Sequence, residues 1–251
     1  MTGRTFIDEF EMRKGTALMR AVAHGHAEIV RLLVEKESGM KDRDGWTALM
    51  RAAENGRADC VELLLGKEGG MRNKIGGTAL MIAAGRGYAD CAKLLLAEEG
   101  SMSDDDGETA LMFAAMRGHT ECVKLLLGQE GGMQACNGWT ALMHAAMSGR
   151  SQCVSLLVEK EGGMKNSNKE TALIRAARNG HSKCVKLLLE KEVGMQNSDG
   201  ETALVLAVKT GRIKCVRLLM EEESLKTNEE VTALDIAKIW GYRAIISLLA
   251  E

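Results

Sequence analysis

An all-α solenoid of eight helix-turn-helix units is the fold class the sequence predicts, and three observations of phase predict it. Thr-Ala-Leu begins at residues 16, 47, 78, 109, 140, 171, 202 and 232, spaced by 31 residues six times and then by 30. A glycine lies nine residues after each of these threonines, from Gly25 to Gly241. Leucine pairs recur at a fixed offset, from Leu32-Leu33 to Leu248-Leu249. Self-similarity at such a period marks stacked supersecondary units. The spacing gives repeats at 13–43, 44–74, 75–105, 106–136, 137–167, 168–198, 199–228 and 229–251, behind an N-terminal segment 1–12, all within a single domain 1–251.

The second repeat justifies the elements in order. Thr47 is a good N-cap, because its hydroxyl can accept from an early backbone N–H. A first helix follows, with Leu49, Ala52 and Ala53 on its inner side, and the small alanines permit close packing. Gly56 stops it, since glycine tolerates the left-handed conformation of a helix end. A second helix carries Cys60, Val61, Leu64 and Leu65 at helical spacing. Gly69-Gly70 ends that helix, Met71 anchors a connector, and Asp44-Gly45 makes a tight turn. Neither helix can bury its apolar face alone, whereas stacked repeats can. At the ends, Asp235 and Lys238 predict a more polar C-terminal cap, and Phe6 and Phe10 at i, i+4 after Thr5 predict a short helix covering the first repeat.

Composition sets limits on function. Of 251 residues, 45% are hydrophobic and 27% charged, an ordinary balance for a folded globular chain. The longest apolar run, Ala110–Met116, has seven residues, well short of the roughly 18 of a membrane span. The N-terminus lacks an apolar signal core, so a cytoplasmic location without membrane insertion is expected, with cytoskeletal association compatible. A net charge of −2 leaves no electrostatic footprint for nucleic acid.

Several patterns imitate chemistry. Cys60, Cys91, Cys122, Cys153, Cys184 and Cys215 share one phase, and Ile29 and Ile245 fill that slot in the end repeats. The slot therefore reads as apolar core. Helices stacked at about 10 Å cannot join cysteines whose Cα atoms need about 4.4–6.8 Å. Buried free thiols in a reducing compartment are expected, with Cys136 exposed in a finger. His119-x-x-Cys122 and His181-x-x-Cys184 resemble fragments of metal sites, yet Arg57, Tyr88, Arg150 and Arg212 occupy the same histidine slot, which favours a turn-stabilising role. The methionine stripe reads as packing. The Glu-Lys-Glu runs ending the second helices, such as Glu35-Lys36-Glu37 and Glu159-Lys160-Glu161, read as solvated charge. The glycines fall at turns and form no phosphate loop. No nucleophile and base recur together, so no catalytic, metal or cofactor residues, no cofactor and no enzyme activity are expected.

The order T-A-L-x-x-A-A-x-x-G-H-x-x-x-V-x-L-L-L resembles the ankyrin repeat, whose core is T-P-L-H-x-A over about 33 residues. The resemblance covers about residues 13–251. Ala stands in place of the proline, and Met most often in place of the histidine. The stretch after Met71 is two residues short, which predicts shortened fingers without a regular hairpin. The short period, the E-K-E-G-G-M connector and the helix-two cysteine look most similar to the short-finger ankyrin-repeat proteins expanded in diplomonad parasites.

The family resemblance implies a concave groove lined by the fingers and the exposed side of each first helix. Counting each repeat's Thr as zero, positions −1, +4, +7 and +8 vary most among the copies. Carried over, they give candidate partner-binding residues Trp46, Arg51, Ile82, Arg86, Phe113, Met116, Arg117, Trp139, His144, Met147, Arg175 and Arg178. Trp46 and Trp139 stand where no core packing demands them, and tryptophan and arginine often carry binding energy. An apolar middle flanked by arginines would suit a peptide with apolar anchors and acidic flanks. The expected function is a non-enzymatic scaffold or adaptor that binds a protein or peptide in its groove and is itself a monomer in solution. The alternative is a structural or cytoskeleton-associated spacer rod that assembles through its ends or edges.

Overall fold

A computed structural model describes residues 15–222 and 224–250. The expected Phe6/Phe10 cap lies outside them. Among the described residues, sixteen α-helices alternate as first and second helices of the repeats: α1 Ala17–His24 and α2 Ala27–Glu37, α3 Ala48–Glu54 and α4 Ala58–Glu68, α5 Ala79–Arg86 and α6 Ala89–Glu99, α7 Ala110–Arg117 and α8 Thr120–Glu130, α9 Ala141–Met147 and α10 Ser151–Glu161, α11 Ala172–Asn179 and α12 Ser182–Glu192, α13 Ala203–Lys209 and α14 Ile213–Leu218, α15 Ala233–Ile239 and α16 Arg243–Leu249. A 3-10 turn, Met220–Glu222, follows α14. No strand forms among the described residues. The described fingers carry only the isolated bridges Ser103 to Thr109 and Lys226 to Thr232, the blunt geometry that the short period predicts.

The described residues fall into two compact units. One runs up to Ala114 and includes Glu121–Glu130; the other is Ala115–Thr120 with the residues from Gly131 onward. Within the first, α1, α3 and α5 pack in succession, as do α2, α4 and α6. Within the second, α9, α11, α13 and α15 form one row and α10, α12, α14 and α16 another. The rows bury most of the phases that the sequence assigns to the core. In the second repeat these are Leu49, Ala52, Ala53, Cys60, Val61 and Leu64, all at most 1% exposed. Ile29, in the cysteine slot of the first repeat, is instead 45% exposed, and Leu65 is only half-buried.

The helix ends follow the local chemistry. Thr16, Thr47, Thr78, Thr140, Thr171, Thr202 and Thr232 each accept the backbone N–H three residues on. At the other end, Gly25, Gly87 and Gly180 take left-handed backbone with φ of 73°, 83° and 81°. In the last repeat, Asp235 closes a capping box with Thr232, receiving the Thr232 N–H at 3.0 Å.

The Glu-Lys-Glu reading needs correction. The glutamate at this phase is not freely solvated, whether or not a full Glu-Lys-Glu run precedes it. Glu68, Glu99, Glu130, Glu161, Glu192 and Glu222 are each 1% exposed, and the half-buried Glu37 accepts the Leu18 N–H at 2.7 Å. In the third repeat, Glu99 Oε2 accepts the Leu80 N–H at 2.6 Å, and Oε1 accepts the Gly70 N–H of the preceding repeat at 3.1 Å. The same pair recurs at Glu68 with Leu49 and Gly39, at Glu130 with Leu111 and Ser101, and at Glu161 with Leu142 and Gly132. It recurs again at Glu192 with Leu173 and Gly163, and at Glu222 with Leu204 and Gly194. The physical reason is the accounting of backbone donors. A helix leaves its first N–H groups without intrahelical partners. Thr serves the third position, and the glutamate serves the second from the far end of its repeat. The carboxylate also sits at the positive end of the helix dipole. Burial pushes the Glu99, Glu130, Glu161, Glu192 and Glu222 carboxyls above the usual range, against the pull of their backbone donors.

The expected polar C-terminal cap is only half realised. Ile239 and Trp240 are 74% and 52% exposed on α15 and just beyond it. The capping box is polar, but the last two ladder positions of the final repeat are large and apolar.

Candidate functional site

The candidate residues sit on first helices and on the finger position just before each Thr. Most fingers are organised by the side chain five residues before that Thr. Asp42 Oδ1 accepts the Asp44 and Trp46 N–H groups, both at 2.9 Å, an Asx turn that presents residue −1. Asn73, Asp104, Asn166 and Asn197 do the same in their fingers. Ala135 has no such side chain, and there the Trp139 N–H turns to Asn137 Oδ1 at 3.0 Å.

In the first unit, Trp46 is half-buried rather than open. The Arg51 guanidinium covers it, Cζ lying 4.5 Å from the ring centroid. That guanidinium also bridges Asp42 and Glu54, each at 2.8 Å. Burial works against the Arg51 charge, but its hydrogen bonds to Asp42 and Glu54 outweigh this and raise its pKa. Glu54 holds Arg86 as well, at 2.9 Å. These arginines therefore reach the surface already paired with Asp42 and Glu54. Ile82 and Phe113 are half-buried. Phe113 lies beside Gly85, where a Cβ would make ordinary contact with it at 3.5 Å.

In the second unit the pattern recurs with different donors. Arg175 lies over Trp139, Cζ 4.4 Å from its centroid, and the His144 ring is 4.9 Å from the same indole. His144 is only 5% exposed. It lies beneath the face rather than on it, which corrects its placement as a surface contact. Glu170, itself 5% exposed, pairs with Arg175, with Arg178 at 3.3 Å and with Asn166 Nδ2 at 3.1 Å. Desolvation lowers the Arg175 pKa despite that partner. Lys209 and Glu201 pair at 2.5 Å, a contact that the sequence reading did not single out. Met116 and Met147 are half-buried, and Arg117 and Arg178 are exposed.

The residues that imitate other chemistry are accounted for within each unit. His181 Nε2 lies 3.0 Å from the Met147 carbonyl, and its ring packs where a Cβ on Gly149 would be. Arg150 and Arg212 reach the Met116 and Arg178 carbonyls in the same way. The histidine slot therefore satisfies carbonyls at the end of the preceding first helix. Cys60, Cys91, Cys122, Cys153, Cys184 and Cys215 are buried free thiols, and Cys136 is exposed. Burial pushes Cys60, Cys91, Cys122 and Cys184 up to about 11, so they stay protonated at neutral pH. Among the described residues, no three His, Cys, Asp or Glu side chains gather as a metal site would require, and no helix is long and apolar enough to cross a membrane.

The family comparison agrees with this geometry. The model for ankyrin repeats in three copies matches residues 4–73, 66–135, 118–197 and 191–251. A search of curated proteins finds no match to the chain. Ankyrin repeats generally mediate protein–protein interaction. The matches span nearly the whole sequence, and the chain belongs to the ankyrin-repeat family.

Proposed function

We propose that the chain is a non-enzymatic scaffold or adaptor that binds a partner protein or peptide along its first helices and fingers. One observation carries the reading. Core phases hardly change among the repeats, while positions −1, +4, +7 and +8 change from repeat to repeat. Every +7 and +8 position is exposed or half-buried, whereas four of the eight −1 and three of the eight +4 positions are buried. Freedom at fixed surface positions above a constant core is what a recognition surface needs. Arg86, Phe113, Met116, Arg117, Met147 and Arg178 are the better contact candidates. Trp46 and Trp139 contribute through the arginines stacked on them. The buried free thiols support work in a reducing compartment, and the chain is proposed to act as a monomer. The blunt fingers support kinship with the short-finger diplomonad group.

Comparative capture from lysate tests the reading. One bait is the intact chain, and the other carries Arg86→Ala, Phe113→Ala, Met147→Ala and Arg178→Ala with its circular dichroism unchanged. Partners lost only from the variant support recognition through these positions. Equal recovery by both baits moves recognition elsewhere on the molecule.

A further inference from the structure

On the first-helix face of the second unit, the acidic groups just before Thr171 and Thr202 lie deeper than their basic partners. Glu170 and Glu201 lie deep, their side chains 6% and 11% exposed, while their partners Arg178 and Lys209 are 45% and 36% exposed. Glu170 is shared three ways, with Arg175, Arg178 and Asn166. The Arg178 guanidinium, which has five N–H donors, pairs with Glu170 at 3.3 Å and also draws on the Glu201 charge. Beside Lys209 in the row, α15 presents Ile239 and Trp240, 74% and 52% exposed. Tyr242 braces the Trp240 ring edge-on at 5.9 Å.

Arg178, Lys209 and Ile239 occupy the same +7 phase of α11, α13 and α15, which pack in succession. Helices in contact stand about 8–10 Å apart. An extended chain covers that distance in three residues, at roughly 3.3–3.6 Å each. Resting on the interaction reading above, we propose that this face takes an extended acidic segment of a partner protein. The segment has acidic residues three apart and an apolar residue three further along. The carboxylates meet Arg178 and Lys209, and the apolar side chain seats on Ile239 and Trp240. The buried glutamates keep the two cations in place without presenting negative charge to the incoming chain. A tryptophan anchor offers about 150–250 Å² of ring surface for burial.

Fluorescence anisotropy with the intact chain and two labelled peptides tests this. One peptide is Asp-x-x-Asp-x-x-Phe in a Gly/Ser background, and the other has lysine for aspartate. Binding of the acidic peptide alone, weakening with salt, is expected. Arg178→Gln with Lys209→Gln keeps hydrogen-bond donors for the buried glutamates. It should weaken binding roughly tenfold and flatten the salt dependence. Trp240→Ala should weaken it by about as much and leave the salt dependence intact. Equal binding of the lysine peptide, or wild-type binding by a folded double variant, overturns the proposal. Self-association of the chain that Trp240→Ala abolishes also overturns it. Rejection of the acidic peptide by a chain that still captures its lysate partner defeats the acidic chemistry and leaves the interaction reading standing. Loss of both defeats both.

Discussion

At the scale of single residues, the buried glutamates decide most. Glu161 accepts the Leu142 N–H at 2.7 Å and the Gly132 N–H at 3.1 Å. Gln is nearly the same shape, but it offers one acceptor oxygen and turns its amide toward the other N–H. Glu161→Gln should therefore cost roughly 1–3 kcal/mol, the penalty of one buried donor without a partner, read as a fall in the urea midpoint. Proton linkage gives a second outcome. The folded pKa of Glu161, like those of Glu99, Glu130, Glu192 and Glu222, is raised by burial, above an unfolded value of about 4.3. The protonated form is thus favoured by folding. Its contribution to stability is fully present below the unfolded pKa and is lost as pH rises through the folded one. The urea midpoint should decline as pH rises from about 4.3 toward neutrality, and Glu161→Gln should remove its share of that slope. A midpoint that rises steadily over the same interval would show that the backbone donors outweigh burial. Glu201 has the opposite sign: Lys209 and Asn197 hold its carboxyl below the usual range despite burial, so its contribution is lost as pH falls.

At the scale of the element, the fingers show what the sequence revealed and what it concealed. Helix starts, helix stops and blunt fingers were all legible, because each depends on a local residue: Thr, Gly, or a missing pair of residues. The buried glutamates were concealed, because a Glu-Lys-Glu run looks solvated when read one repeat at a time. The signal was present across copies. The slot of Glu68, Glu99, Glu130, Glu161 and Glu192 never varies, whereas the two residues before it change freely. In the candidate site, positions could be read but partners could not, since Asp42, Glu54 and Glu170 meet their arginines only through folding. The finger tip supplies a test of local strain. Gly45 has a φ of 82°, and a Cβ there would stand 2.8 Å from the Lys74 backbone nitrogen. Gly45→Ala should destabilise by more than the roughly 1 kcal/mol of left-handed strain alone, because backbone must also move. The equivalent Lys169 already holds φ 57° with a side chain. Lys169→Gly should accordingly be neutral or stabilise by up to about 1 kcal/mol. Both effects are measurable as shifts in thermal midpoint, and a stabilising Gly45→Ala would contradict the geometry.

At the scale of the whole molecule, stability in each unit is set by contacts between successive repeats. Within the second unit those contacts are of two kinds. One is apolar: Leu157, Leu188 and Leu219 are each 0% exposed in successive second-helix segments. The other is the carboxylate link, in which Glu192 binds its own repeat at Leu173 and the preceding repeat at Gly163. The two lesions should differ in reach. Leu188→Ala removes core from the sixth repeat and should cost roughly 2–5 kcal/mol. Hydrogen exchange should then accelerate first in α11 and α12, next in α9, α10, α13 and α14, while α3–α6 of the first unit keep their protection. Glu192→Gln leaves the apolar core intact and withdraws one acceptor from the step between the fifth and sixth repeats. Its exchange signature should centre on the Gly163 and Leu173 amides, with smaller changes in the helices themselves. Equal acceleration in every helix of the chain for either variant would mean that folding is all-or-none over the full length, and nearest-neighbour coupling would then be the wrong description of this array.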